Sequence, residues 1–338
     1  MKTPDPLRLH KESLVVDGTC PLLRDKGFID WYIEGGVDIV TPTVGAYYPA
    51  AVSLKLIGEW LGFIRERDDL VLVTTGAEAR AAKAEGRTGV VFHFQGTAAL
   101  EDDLRHVDAF KRLGVGIIQL TYNTEDLVGF GAQVEVDEGL KPFGREVIAR
   151  CNDARIIVDC SHTGHRTSME AIEASTQPVI LSHANPRALY ATQSERNVTD
   201  ELICAIADSG GIMGITGFPG FLGGGARPSL DVYVDHIDHV VETAGIDHVA
   251  VAIDYYDGQH PVVDDEEAKS LYEQRVESGV WAGPDYPPPP HYYPAGIETP
   301  RTLPNLTTKL IERGYSAEDT AKILGDNWLR IYHTIWDT

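Results

Sequence analysis

Two stretches of the chain end alike. Ile156-Ile157-Val158-Asp159-Cys160-Ser161-His162 and Val179-Ile180-Leu181-Ser182-His183 are apolar runs of strand length stopped by Ser-His, and Val249-Ala250-Val251-Ala252-Ile253 stops at Asp254. A strand buried on both faces reads as a continuous apolar run. A polar residue at its C-terminal tip sits at the mouth of a parallel sheet, where α/β enzymes place their chemistry. Adjacent strands lie ~5 Å apart, so His162 and His183 can reach one ion. Neutral imidazoles with one carboxylate suit zinc, with iron or manganese as alternatives, and a zinc ion with an incomplete protein shell acidifies water towards neutrality. A lone strand-end histidine is more often structural. Two at the tips of consecutive strands favour a metal or acid–base site.

The elements that must position these residues follow from the same pattern. Short β-branched runs at 14–19, 37–44, 89–95, 115–122, 155–161, 178–183, 211–216 and 248–254 predict eight strands. Helical periods over Ala51–Arg65, Leu104–Leu113, Pro142–Asn152, Ser168–Ser175, Thr199–Ser209 and Val232–Ala244 lie between them. Eightfold alternation predicts an α/β fold, a (β/α)8 TIM barrel spanning residues 1–338 as a single domain. A doubly wound sheet is the alternative, but Asp17-Gly18-Thr19-Cys20-Pro21 after the first strand is no dinucleotide fingerprint. The barrel tips then carry Thr19, Thr43, Gln95, Tyr122, His162, His183, Thr216 and Asp254. The segment 255–304 holds four consecutive prolines, several tyrosines and an acidic cluster, and reads as a lid or loop insertion over the active face. The tail from Leu306 to Trp336 reads as helical with breaks at Gly314 and Gly325, able to close the barrel.

Composition narrows the partners. The 338 residues include 51 acidic and 29 basic side chains, a formal charge of −22, which disfavours nucleic acid and anionic membrane as partners. Cys20, Cys151, Cys160 and Cys204 form no C-x-x-C pair, and scattered cysteines suggest reduced thiols in a cytoplasm. The N-terminus shows no apolar signal region and no run is long enough to span a membrane. Cys20 reads as a packed small residue, with a soft ligand or nucleophile as the sharper alternative. His93, two residues before Gln95, reads as a buried, hydrogen-bonded residue one layer below the tips.

The motifs resemble the renal (membrane) dipeptidase family. The likeness lies in Val158-Asp159-Cys160-Ser161-His162, Leu181-Ser182-His183-Ala184-Asn185, Arg196-Asn197-Val198, Leu120-Thr121-Tyr122-Asn123, Gly139 to Gly144, His236 to Gly258 and Leu303 to Asn327. The resemblance runs from about residue 14 to 332. It implies a metal-dependent barrel hydrolase that typically holds two zinc ions bridged by a glutamate and cleaves dipeptides, including those with a C-terminal D-residue. It implies His162 and His183 as ligands of one metal, Asp254 as the carboxylate near the other metal and proton shuttle, and Arg196 as the grip on a substrate carboxylate. A guanidinium fork suits that task.

Departures from the family pattern shape the expectation. The first strand of the family ends in Asp-Gly-His-x-Asp, whose His and Asp bind metal; here Thr19 and Pro21 stand in those places. The bridging glutamate is Gln95 and a substrate-contacting histidine is Tyr122. The expected site therefore holds one zinc ion, with another divalent metal or none as alternatives. His162 and His183 are its ligands, with help from Gln95, Asp254 or water. Asp254 and Tyr122 are the expected catalytic groups; Arg196, Tyr122, Gln95 and Tyr255 are the expected substrate contacts. The expected reaction is hydrolysis of a dipeptide or small N-acyl amino acid carrying a carboxylate. A specialised decarboxylase, lyase or isomerase, or a non-catalytic homologue, is the alternative. A homodimer is compatible with this reading.

Overall fold

Short parallel strands alternate with helices along a computed structural model that describes residues 4–281 and 285–337. The strands are β1 (Val16–Asp17), β2 (Ile39–Val40), β3 (Thr43–Gly45), β4 (Leu70–Leu72), β5 (Thr88–Val90), β6 (Phe92–Phe94), β7 (Val115–Gln119), β8 (Ile157–Asp159), β9 (Val179–Ala184), β10 (Met213–Ile215) and β11 (Val249–Val251). They pair in the orders β1-β2-β5-β4 and β11-β10-β9-β8-β7-β6-β3. Backbone bonds from Val91 to Val40, His93 to Pro42 and Gln95 to Gly45 run on through the gaps. β2 with β3, and β5 with β6, are therefore two ends of single wall positions.

The first and last positions meet. The Gly18 amide donates to the Val251 carbonyl at 3.2 Å, the Asp254 amide to the Thr19 carbonyl at 3.2 Å, and the Ile253 amide to Asp17 Oδ1 at 2.8 Å. The expected (β/α)8 architecture is the one the chain adopts. Two details differ from expectation. The run 37–44 is interrupted near Pro42, which has no N–H to give the ladder. β4 was not expected; it pairs with β5 alone, below the start of β7.

Alternation sorts the interior into layers. The lowest layer is apolar: Val16, Ile39, Val91, Ile117, Ile157, Ile180, Ile212 and Ala250 pack against Trp328, Ile331, Tyr332, Ile335 and Trp336 of the helix Asn327–Trp336. That helix plugs the N-terminal end. The Trp328 indole donates to the Val251 carbonyl at 3.0 Å and the Trp336 indole to the Gly116 carbonyl at 3.3 Å. Gly18 is required by this contact, since a Cβ there would lie 2.1 Å from the Trp328 ring. The tail differs from expectation at Gly325. It lies within the π-helical turn Lys322–Asp326, and a Cβ there would meet the Leu14 carbonyl at 2.3 Å, so this glycine serves close packing and not a helix stop. Gly314, with φ 96°, does separate two helices.

Helix ends are set locally. The helix Pro142–Ala154 starts on a proline and ends at Arg155 in a left-handed conformation, which turns the chain into β8. Within 255–304 the structure places the helix Asp265–Glu277, N-capped by Asp264; residues 282–284 of that segment lie outside the described residues. Among the described residues no helix is long and apolar enough to cross a membrane.

Asp17, at the seam, is buried with Oδ2 unpartnered, and burial pushes its carboxyl up to about 7. The folded value lies above the unfolded one of 3.8, so ionising Asp17 costs stability. That cost is absent below about pH 3.8, grows as pH rises, and is complete above about 7. Asp17→Asn keeps an acceptor for Ile253 and does not titrate. It should stabilise the protein at pH 8.5 relative to wild type, by at most about 4 kcal/mol. The gain should be much smaller at pH 5 by urea unfolding; an equal effect at both pH values would refute this account.

Candidate active site

His162 follows the tip of β8 and His183 lies within β9, and their Nε2 atoms are 2.9 Å apart. The neighbours of each ring fix its tautomer. Asn123 Nδ2 donates to the Val280 carbonyl and the Tyr286 hydroxyl, so Asn123 Oδ1 faces His162 Nδ1 at 2.7 Å and accepts from it. Ser182 donates to Asp159 Oδ2 at 2.6 Å, which leaves its lone pair for His183 Nδ1 at 2.8 Å. Thr19 donates to the Gly18 carbonyl and also accepts from His183 Nδ1, at 3.2 Å. Both Nδ1 atoms are therefore donors, and both Nε2 atoms of the neutral rings carry lone pairs. Two lone pairs at this distance repel unless a cation lies between them. A shared proton is disfavoured, because burial and then the Arg196 charge hold both imidazoles well below their usual range. Two imidazole nitrogens converging on one point make a partial donor set, one short of the three protein ligands of a catalytic zinc site.

A polar layer below holds this arrangement. Asp159 is wholly buried; burial would raise its carboxyl, but His93 and Ser182 outweigh that and keep it at about 2. It accepts from the Ser161 and Ser182 amides at 2.9 and 2.8 Å and contacts His93 Nε2 at 3.1 Å. The carboxylate thus orients His183 through Ser182, an indirect form of the outer-shell support common behind metal-binding histidines. His93 is buried in that layer, as expected.

Backbone strain collects here. Asn123, His162 and Asp254 have φ of 61°, 59° and 63°, in the left-handed region that costs a non-glycine residue energy. Each sits where the chain leaves a barrel position and turns a polar side chain inward.

The other expected residues divide. Gln95, Tyr122, His162 and Asp254 all line one cavity of about 180 Å³. The Tyr122 ring stacks on His162 at 4.3 Å, and burial pushes its phenol up, which suits it to donate a hydrogen bond and not to act as a base. Gln95 Nε2 has no partner. Burial pushes Asp254 up to about 8, against the lowering pull of Arg196. Arg196 does not line the cavity but lies behind its wall, 1% exposed, with its guanidinium stacked on Phe221 at 4.6 Å, the Tyr286 hydroxyl within reach and no acidic partner among the described residues. Of the tyrosines whose positions suggest pocket walls, Tyr47, Tyr48 and Tyr256 line the cavity, whereas Tyr255 does not: its ring is buried and its hydroxyl donates to the Ile297 carbonyl at 2.9 Å. Cys20 is packed, its sulfur 3.4 Å from both the Asp17 carbonyl and the Thr41 amide, and burial pushes its thiol well up. Among the described residues no group of three or more His, Cys, Asp and Glu side chains forms a metal cluster.

Sequence reasoning missed Asn123 as the partner of His162, although it stands in the Leu-Thr-Tyr-Asn motif. It also missed Phe218, Phe221, Arg275, Trp281 and Tyr286 around the cavity. The aromatic content of 255–304 was the available signal for the last two.

If two imidazoles are the whole strong donor set, zinc titration should load one ion per chain at most, and two tight ions would overturn this ligand assignment. Ser182→Ala should leave the fold intact and weaken zinc binding ~10–100-fold, the usual cost of losing such support. Unchanged affinity by competition with a chromophoric chelator would refute the relay from Asp159.

Comparison with known proteins identifies the family and the fold. A sequence model of the membrane dipeptidase family (peptidase family M19) matches residues 54–277 and 283–338. The chain superposes on an amidohydrolase from Pseudomonas aeruginosa with TM-score 0.89 and 33% identity, covering 99% of this chain and 100% of that one. A metallo peptidase from Rhodobacter sphaeroides, solved with a phosphinate mimic of the dipeptide L-Ala-D-Ala, shares the fold at TM-score 0.78 and 21% identity, covering 96% and 100%. An uncharacterized dipeptidase of Schizosaccharomyces pombe is 27% identical over 273 residues, 78% of this chain but only 58% of its own length. The chain belongs to the membrane dipeptidase family.

Proposed function

We propose that this site hydrolyses the amide bond of a small substrate that carries a carboxylate beside that bond, a dipeptide or an N-acyl amino acid, with one metal ion at His162 and His183. The observation that carries the reading is Arg196. A buried guanidinium with no carboxylate partner among the described residues and only the Tyr286 hydroxyl in reach is costly, and a ligand carboxylate would supply the missing acceptors through two parallel bonds. Its charge already acts on His162, His183 and Asp254, so a carboxylate held there lies beside the histidine pair.

When bound, zinc would supply Lewis acidity to the carbonyl and to water. The chain's own groups supply the rest. Arg196 fixes the substrate carboxylate. Gln95 Nε2 and the Tyr122 hydroxyl offer hydrogen bonds towards the cavity. Asp254 holds a proton at its carboxyl near neutral pH and can deliver it to the departing amine. The rings of Phe218, Phe221 and Tyr286 exclude water from one side.

Arg196→Ala should weaken recognition of the true substrate by ~2–5 kcal/mol, because the partner charge is left unpaired. The amide of the same compound should lose as much with the wild-type protein. Wild-type binding by the variant would remove the anchor role. Mass spectrometry of the products decides the reaction: uptake of one water identifies hydrolysis, whereas loss of carbon dioxide or an unchanged mass identifies the decarboxylase or isomerase alternative.

The Asp254 role predicts a pH profile. The protonated carboxyl is the working form, so kcat should fall on the alkaline side, with a midpoint at or below the metal-free value of about 8 because a bound cation lowers it. Asp254→Asn should lower kcat by ~100-fold or more with little change in substrate affinity. A variant that keeps wild-type kcat and the same alkaline limb would show that another group carries the proton.

A further inference from the structure

The polar groups left unsatisfied around the cavity are uneven in kind. Gln95 Nε2 is buried, unpartnered and able only to donate, and the Thr43 hydroxyl is unpartnered too; the Arg196 guanidinium lies within reach of the Tyr286 hydroxyl and the Trp281 indole within reach of the Tyr122 hydroxyl, and both are donors. The charges lean the same way. Arg24, Lys26 and Arg275 line the cavity, and among the described residues Asp254 is its one acidic side chain. Lys26 reaches Glu59 at 3.3 Å, and Arg275, on the helix Asp265–Glu277, reaches Asp257 at 2.8 Å. Among the described residues Arg24 and Arg196 have no ion pair. Even with Asp254 ionised, unpaired positive charge exceeds negative.

An α-ammonium carries three donors and no acceptor. Entering this cavity it would lose water, meet donors and sit among cations, each of which disfavours it; the Phe221, Tyr256 and Trp281 faces that could attract a cation are already taken by Arg196 and Arg275. The walls say what is favoured instead. Tyr122, Phe218, Phe221, Tyr256, Trp281 and Tyr286 present aromatic faces or edges, with Trp281 and Tyr286 stacked at 4.7 Å and Arg275 held over Tyr256 at 4.7 Å. Rings of this kind pack a flat partner in offset or edge-on contact.

We propose that the substrate is blocked at its amino end: an N-acyl amino acid whose acyl half is uncharged and aromatic, and not a dipeptide with a free α-ammonium. This rests on the carboxylate anchor assigned above and adds to it the chemistry of the other half of the substrate. Acceptor oxygens of the acyl amide meet the free donors, and the ring fills the aromatic wall.

A matched ligand set tests it. 3-Phenylpropionyl-alanine and phenylalanyl-alanine differ only by the ammonium, hexanoyl-alanine lacks the ring, and 3-phenylpropionyl-alaninamide lacks the carboxylate. Each is titrated against the zinc-supplemented full chain, in both alanine configurations, by stopped-flow tryptophan fluorescence, which reads binding ahead of turnover; Trp60 and Trp281 line the cavity. 3-Phenylpropionyl-alanine should bind ~10-fold or more tightly than phenylalanyl-alanine, as one unfavourable charge contact implies. It should also bind more tightly than hexanoyl-alanine. Gln95→Glu, which puts a carboxylate on the cavity wall, should move the first ratio at least about threefold towards the dipeptide. Equal or tighter binding of phenylalanyl-alanine, or a ratio unmoved by Gln95→Glu, overturns the blocked amino end while leaving the carboxylate anchor standing. Hexanoyl-alanine binding as tightly as the aromatic compound overturns the aromatic half. If the alaninamide binds as well as the acid, the anchor itself fails and this inference fails with it.

Discussion

Two imidazole lone pairs aimed at each other across 2.9 Å are the constraint on which the site depends. Neither ring can relieve the repulsion by changing tautomer. His162 Nδ1 is committed to Asn123 Oδ1, and His183 Nδ1 to the Ser182 and Thr19 oxygens. Those acceptors are themselves fixed, Asn123 by donating into the segment that follows helix Asp265–Glu277 and Ser182 by donating to a carboxylate held at about 2. The polar interior layer exists to hold this arrangement, and the apolar layer beneath it, sealed by Trp328 and Trp336, keeps water from competing for the same bonds. The left-handed backbone at Asn123 and His162 is a further cost of the geometry, met by the packing around it.

Much of this was legible in the residues, for physical reasons. Buried parallel strands have no solvated face, so they stand out as apolar runs, and their tips follow directly. His162, His183 and Asp254 were found that way, and Gln95 and Tyr122 follow from the same rule. Three things could not be read. The pairing of β4 with β5 depends on tertiary placement of a short, partly exposed run. The role of Asn123 depends on a contact with segments more than a hundred residues away. The inward burial of Tyr255, beside a Tyr256 that does line the cavity, depends on the irregular turn at Asp254, whose φ is 63°.

Charge is distributed on two scales. The chain as a whole carries −22, yet its cavity gathers Arg24, Lys26, Arg275 and, behind the wall, Arg196. These do not conflict. Surface carboxylates are solvated and screened over ~8–10 Å in physiological salt, whereas charges in a dry, aromatic-walled space act on a bound ligand at close range. The acidic exterior and the cationic cavity therefore act over separate ranges.

The tip of β1 shows the same logic in its covalent detail. Thr19 gives its hydroxyl hydrogen to the Gly18 carbonyl and its lone pair to His183. Cys20 lies between the Asp17 carbonyl and the Thr41 amide, and Pro21 opens the short 3-10 turn Pro21–Arg24 that brings Arg24 to the cavity. The polar atoms of Thr19 and Cys20 are therefore already used inside the protein. The residues that replace the family's His and Asp form a wall that orients His183 on one side and, through the turn, presents a cation on the other. Substitutions that merely lost a metal ligand would leave buried donors or acceptors unsatisfied at this tip, and such groups are costly. Thr19 and Cys20 leave none of their own; the orphan beside them is Asp17 Oδ2, and Thr19 serves here as an acceptor for His183.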